Sequence, residues 1–349
     1  MHVQISNFGR INNSLISLIT IKNNNNNCVQ ITNYGGIVHS WTCPDKDGKL
    51  HDILLGCKDL EAYCAGHPYF GAVIGRYANR IANGHFQLDN IDYDLSKNLP
   101  PNHLHGGFLG FDKKIWEPEV DVDDQQCLVK LSTESHDMEE GYPGNLVLNV
   151  HYTFNNDNEL IIEYFASTDS TTIINMTNHC YFNLSGEQSE NILDHEVMIE
   201  ADYFTNTNAE LIPTGEIAPV NGTVLDFRSF TEVKKFIPFD DMLLKSSKGF
   251  DHNFVLKRNG FTKPAATVRH KKSGRNLEIY TDQPGIQLYT GNWLNGVDGK
   301  SGKYTDYSGL CLETQHYPDS PNQPEFPDTK LVPGQAYYTK TIYKMTTQS

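Results

Sequence analysis

Six short stretches concentrate side chains that move protons or grip hydroxyl groups: Gly75 to Ile81, Asn102 to Gly107, Thr177 to Leu184, Gly249 to Asn253, Pro284 to Asn292 and Leu312 to Pro318. They hold His103, His105 and His179, the carboxylates Asp251 and Glu313, the guanidinium of Arg80 and amides such as Asn79 and Gln287, with aromatic residues interleaved. Imidazole and carboxylate groups exchange protons near neutral pH, while Arg, Asn and Gln offer hydrogen bonds in pairs. Aromatic rings supply an apolar face. Such a set fits the gripping of a polyhydroxylated ligand.

Each residue also has a plainer reading. Glu313 follows the apolar run Gly309-Leu310-Cys311-Leu312, so its carboxylate is expected on or near a buried strand, where an acid is costly unless paired or used. His179 reads equally as a buried histidine satisfied by backbone. Asp251 and Arg80 are of opposite sign and read either as binding groups or as a structural ion pair. His103 and His105 form an H-x-H whose imidazoles could share an ion, but a third ligand at useful spacing is missing. The following Gly106-Gly107 reads instead as a loop that brings backbone close to a ligand. No metal ligand set is assigned.

Composition removes several function classes. The chain has 349 residues, with 28 Lys and Arg against 43 Asp and Glu, a formal net charge of −15. Nucleic-acid binding needs the opposite balance, and the longest basic patch, Arg269-His270-Lys271-Lys272, reads as a solvated turn. Gly299-Lys300-Ser301 resembles the end of a phosphate loop, but Leu294 stands where the first glycine is needed. Neither G-x-G-x-x-G nor G-x-S-x-G occurs, which removes dinucleotide binding and serine hydrolysis. Leu15 to Ile21 is interrupted by Ser17 and Thr20 and lacks a basic flank, so neither a signal peptide nor a membrane span is expected. Seven cysteines without a C-x-x-C pair point to a reducing, cytosolic compartment.

The elements that must position the motifs are strands. Turn signals recur at Asn33 to Gly36, Pro44 to Gly48, Asp89-Asn90, Asn155 to Asn158 and Lys271 to Gly274. Hairpins are expected over Phe86 to Leu95, over Leu146 to Phe154 with Leu160 to Ala166, and over Ala265 to His270 with Leu277 to Thr281. One helix is expected, Phe230 to Ile237, with Ser229 and Glu232 as a capping box. Asn23 to Asn27 reads as a solvated loop without a function. No repeat, long linker or composition break divides the chain, and one large antiparallel all-β domain over residues 1–349 is the expected architecture.

The motifs Asn79-Arg80-Ile81, Asn102 to Gly107, Thr177 to Leu184, Gly249 to Asn253, Pro284 to Asn292 and Glu313 to Pro324 occur in an order that resembles the aldose 1-epimerase family. They span the chain from about Gly75 to Pro324, and Leu331-Val332-Pro333-Gly334 is also in keeping. The resemblance implies a galactose mutarotase-like β-supersandwich with few short helices and a sugar held in an open cleft on one sheet. By position it makes Glu313 the general base, His179 the general acid and His105 an assisting imidazole, with Asn79, Arg80, Tyr181, Asp251 and Gln287 binding the sugar. It implies a free aldohexose as substrate, no cofactor and no metal, and a monomer or homodimer. Cys180 departs from the small hydroxyl residue more usual there, which puts a local hydrogen bond in question.

Interconverting anomers requires removing the C1 hydroxyl proton while the ring oxygen is protonated, then rotation about C1–C2 and reclosure. A carboxylate and an imidazole are suited to act together in this, each contributing ~10²–10⁴-fold. An acidic chain suits a neutral sugar and disfavours a sugar phosphate, which weighs against a hexose-6-phosphate epimerase. Two other readings compete: a glycoside hydrolase using Asp251 and Glu313 as its carboxylate pair, and a carbohydrate-binding protein without turnover.

Overall fold

The computed structural model describes residues 1–189, 191–257 and 260–348. Strands dominate, and their two-residue period decides which face is buried. Along Leu146–Asn155, for example, Leu146, Leu148, Val150, Tyr152 and Phe154 are buried while Val147 is exposed.

Three sheets, antiparallel throughout, form the body. The largest has nine strands, in the spatial order Glu117–Val122, Gln126–Ser135, Leu146–Asn155, Glu159–Thr168, Tyr337–Thr347, Arg275–Thr281, Ala266–His270, Glu196–Ile199 and Thr231–Glu232. The second has six, in the order Tyr181–Phe182, Leu310–Gln315, Gly285–Tyr289, Asp251–Leu256, Ala201–Thr207 and Pro213–Pro219. A five-stranded meander runs from His2–Ile11 to Leu50–Asp52. One apolar cluster joins all three, with Ile162 and Tyr343 from the nine-stranded sheet, Ile286, Leu288, Leu310 and Leu312 from the six-stranded sheet, and Ile31 and Trp41 from the meander. Each such side chain contributes roughly 1.5–3 kcal/mol on burial. Tyr343 also donates its hydroxyl to the Leu312 carbonyl at 3.3 Å, fixing one sheet against the other.

The three expected hairpins form, as His85–Leu88 with Ile91–Asp94, Leu146–Asn155 with Glu159–Thr168, and Ala266–His270 with Arg275–Thr281. The expected helix over Phe230 to Ile237 does not. Thr231 and Glu232 spend their backbone pairing with Val197 and Glu196 at the sheet edge, and only a single 3₁₀ turn, Val233–Phe236, follows without a side-chain cap. Among the described residues the two α-helices lie elsewhere, Leu60–Ala65 and Met242–Lys245, each capped by an aspartate, Asp59 and Asp241.

Asn23 to Asn27 is not a merely solvated loop. Asn23 and Asn27 are buried, and Asn23 Nδ2 donates to the Asn155 carbonyl at 3.0 Å and to Asn158 Oδ1 at 2.8 Å. Asn27 Nδ2 adds a bond to the same Asn158 oxygen at 3.1 Å, so the asparagines tie the meander to a turn of the nine-stranded sheet. The basic patch at Arg269 to Lys272 is likewise engaged: Arg269 and Lys271 pair with Glu196, Lys272 pairs with Asp194, and His270 is buried. All seven cysteines are free thiols. Among the described residues no helix is long and apolar enough to cross a membrane.

Candidate active site

Strand register builds the site. In Leu310–Gln315 the side chains of Leu310 and Leu312 enter the main core, which turns Cys311 and Glu313 to the opposite face. The same alternation in Gly285–Tyr289 buries Ile286 and Leu288 in the core and leaves Gln287 and Tyr289 on Glu313's face. Gln287 pairs with Glu313 on one side and with Asn253 on the other, while Tyr289 pairs with Cys311 and with Asp251. Tyr181 lies across from Cys311, so His179, two residues earlier, arrives beside Glu313. Its Nε2 is 3.7 Å from Glu313 Oε1.

A small two-stranded ladder covers this face, with Arg80–Ile81 pairing with His103–Leu104. It delivers Arg80, whose Nη2 lies 3.0 Å from Asp251 Oδ2, and His105, whose ring packs edge-on to His179 at 5.2 Å between centroids. Gly106 packs against the Gly75 carbonyl at φ +85°, where a Cβ would collide. Gly106 therefore brings backbone close to backbone, while Gly107, at φ +102°, packs against the Glu140 carboxylate and the Ser96 hydroxyl. Between the ladder and the sheet lies a cleft of about 260 Å³ lined by residues that include Asn79, Arg80, His105, His179, Asp251 and Glu313.

Burial sets the electrostatics. Glu313 is 2% exposed, and burial together with the nearby Asp251 charge pushes its carboxyl well above the usual range, against a smaller opposing effect of Arg80. Burial lowers His179 to about 4, opposed by its own backbone carbonyl and by Asp251. Both shifts disfavour charge, favouring a neutral carboxyl beside a neutral imidazole, with one proton shared by the pair. His105 is pushed well down by burial and by the neighbouring His179. Among the described residues Glu313 Oε2 has no hydrogen-bond partner, leaving a buried acceptor beside the cleft.

The structure brings Glu313, His179, His105, Asn79, Arg80, Tyr181 and Asp251 together around this cleft. Gln287 sits beneath it, donating from Nε2 to Asp251 Oδ1 at 2.6 Å. Tyr181 stacks on His179 at 4.9 Å. Asn79 Oδ1 accepts from the Arg80 backbone N–H at 2.9 Å and so helps shape the arginine's entry. Cys180 faces the main core, away from the cleft, and its backbone N–H donates to Asn178 Oδ1 at 3.1 Å. Sequence reasoning missed Tyr69, whose ring stacks on His179 at 5.8 Å and meets His105 at 4.7 Å, and Trp293, which is 53% exposed in the cleft wall. An aromatic directly after His67-Pro68 was the available signal for Tyr69.

The H-x-H pair is split. His103 turns away, with Nε2 bonded to the Tyr142 hydroxyl at 2.7 Å and Nδ1 donating to the Ser96 carbonyl at 2.6 Å. A different trio, His105, His179 and Glu313, has ligand atoms all within 4.8 Å of one another. The donor set fits an ion poorly, because the Asn79 backbone N–H donates to His105 Nδ1 at 3.1 Å. The proton of neutral His105 must then sit on Nε2, the atom that would coordinate.

Comparison with known proteins agrees with this geometry. The family model "Aldose 1-epimerase" matches residues 17–344. The chain is 48% identical to the galactose mutarotase of Homo sapiens over 318 residues, 90% of each chain, and 40% identical to the aldose 1-epimerase of Escherichia coli over 332 residues, 94% of each. The crystal structure of galactose 1-epimerase from Lactobacillus acidophilus superposes with a TM-score of 0.89 at 28% identity, covering 100% of this chain and 99% of that one. With strand register, a buried imidazole–carboxylate pair and relatives along nearly the whole chain in agreement, the protein belongs to the aldose 1-epimerase family.

Proposed function

We propose that the protein interconverts the α and β anomers of free aldohexoses such as galactose and glucose by acid–base ring opening and reclosure. The observation that carries this is the buried pair His179 Nε2 and Glu313 Oε1, 3.7 Å apart in a cleft with a paired Arg80 and Asp251. In the reactive form the proton that the pair shares sits on His179 Nε2 and Glu313 is a carboxylate, which accepts the C1 hydroxyl proton. His179 delivers a proton to the ring oxygen, the C1–O5 bond breaks, and the open aldehyde rotates about C1–C2. Reclosure on the other face reverses both transfers, so the enzyme ends in its starting protonation state. His105, neutral and presenting Nε2–H, steadies charge developing on a substrate oxygen.

Arg80, Asp251, Asn79 and Tyr181 hold the sugar, and Gln287 holds Asp251. A carboxylate already bonded to Arg80 and Gln287 suits a binding role better than that of a glycosidase acid. Among the described residues lining the cleft Arg80 is the sole formal cation, which favours a neutral sugar over a sugar phosphate. We read the chain as one domain in the cytosol, supported by a core cluster running from Ile19 to Met345 and by seven free thiols.

Polarimetry on freshly dissolved α-D-galactose tests the function. Faster approach to the equilibrium rotation is expected. Binding of the sugar without acceleration would leave only a carbohydrate-binding protein.

A further inference from the structure

The two imidazoles of the cleft differ in what faces their inner nitrogen. His105 Nδ1 meets the Asn79 backbone N–H, a group that only donates. His179 Nδ1 meets the Cys311 sulfur at 3.4 Å, the side-chain acceptor on a ring that is also influenced by its own backbone carbonyl. Cys311 is wholly buried, and cross-strand pairing with Tyr181 sets its sulfur beside His179 Nδ1.

We infer that the two rings are held in opposite neutral tautomers, His105 with its proton on Nε2 and His179 with its proton on Nδ1, and that Cys311 is the positioning residue whose sulfur accepts from His179 Nδ1–H. The inference rests on His179 being the acid. An imidazole that gives its Nε2 proton to the ring oxygen and later recovers it must keep the other proton on Nδ1 throughout, so an acceptor is needed there. A carboxylate in that place would stabilise the imidazolium and weaken the acid. A neutral thiol sulfur orients the ring while leaving the imidazolium acidic, which suits protonation of a weakly basic ring oxygen. His105, with Nδ1 occupied by a donor, remains a fixed Nε2–H donor that does not cycle. One cleft thereby holds one imidazole for proton transfer and one for hydrogen bonding.

Ring-nitrogen ¹⁵N NMR of the wild-type protein near neutral pH, with His179→Asn and His105→Asn to identify the signals, reads the tautomers directly. Protonated Nδ1 on His179 and protonated Nε2 on His105 are expected; a protonated Nε2 on neutral His179 overturns the inference. In kinetics, Cys311→Ala should lower kcat about tenfold with KM for galactose nearly unchanged, the loss of one orienting hydrogen bond. Cys311→Ser, which keeps a small acceptor, should recover most of it, and Cys311→Asp should move the acid limb of kcat/KM upward by about one pH unit or more. Wild-type kcat and an unmoved acid limb in both the alanine and aspartate variants would also overturn it. If Cys311→Ala does not fold, the wild-type spectra decide alone. Full turnover in His179→Asn would instead remove the acid assignment itself, an outcome the spectra do not imitate.

Discussion

Asn79 and His105 clamp one another. The Asn79 backbone N–H donates to His105 Nδ1 at 3.1 Å, and the His105 backbone N–H donates to the Asn79 carbonyl at 3.0 Å. Both residues hold positive φ, 66° and 51°, a conformation that costs side-chain-bearing residues energy and clusters where function demands it. The result is an imidazole fixed in place and in tautomer.

That clamp makes a prediction about metal. Because His105 Nε2 carries a proton, exhaustive treatment with EDTA should leave the mutarotation rate unchanged. Loss of activity restored specifically by zinc would mean that the Asn79 hydrogen bond yields and that His105, His179 and Glu313 bind an ion.

Glu313→Gln preserves shape but cannot accept a proton. A fall in kcat of about 10²-fold or more is expected, with an unchanged melting temperature or a raised one, since a buried acid is replaced by a neutral amide. Near-normal turnover in a stopped polarimetric assay would move the base elsewhere.

The shifts of His179 and Glu313 set the pH dependence. In the proposed mechanism turnover requires the pair to hold one proton. Acid adds a second proton, opposed by a His179 lowered to about 4, and alkali removes the last, opposed by a Glu313 raised well above its usual range. The kcat/KM profile should therefore be a broad bell with a plateau across neutral pH, bounded by two apparent pKa values that belong to the pair. His179→Asn should abolish the bell and lower kcat severely while galactose still binds. A destabilised variant with normal turnover per folded molecule would make His179 a structural residue.

Arg80 and Asp251 offer a sharper choice between binding and scaffolding. Asp251→Asn should raise KM for galactose about tenfold to a hundredfold, the loss of a charge-assisted hydrogen bond, with a smaller effect on kcat. A lower melting temperature with unchanged KM would make the pair a scaffold only.

Stability should fall in mild acid. His39, His252 and His270 are each lowered to about 4, chiefly by burial, while their unfolded counterparts titrate near the ordinary ~6.5. Between those values the unfolded chain binds more protons than the native one, so stability is complete above about pH 6.5 and is lost progressively toward pH 4. A melting temperature that stays flat from pH 7 to pH 4.5 would contradict this.

How much was legible before folding differs between elements. The hairpins at Phe86 to Leu95 and Leu146 to Ala166 were readable because period-two burial and an Asn- or Asp-rich turn are both local features. Glu313 stood out because an acid after Leu310-Cys311-Leu312 conflicts with its surroundings. The helix expected at Phe230 failed because Thr231 and Glu232 meet a distant strand partner at Glu196 and Val197, and a cross-strand ladder overrides a local capping pattern.

The sequence by itself determined the strand-rich architecture, the acidic character and, through ordered motifs, the family, and it singled out Glu313 and His179 as the candidate proton-transferring pair. Only tertiary structure decided how those residues are placed against one another. Cross-strand register placed Glu313 beside His179 and the Cys311 sulfur against His179 Nδ1, put Gln287 behind Asp251 rather than in the cleft wall, and sent His103 to Tyr142 while His105 entered the site. Such neighbours are up to hundreds of residues apart along the chain, and burial, the force that shifts their proton affinities, exists only once the sheets have closed over them.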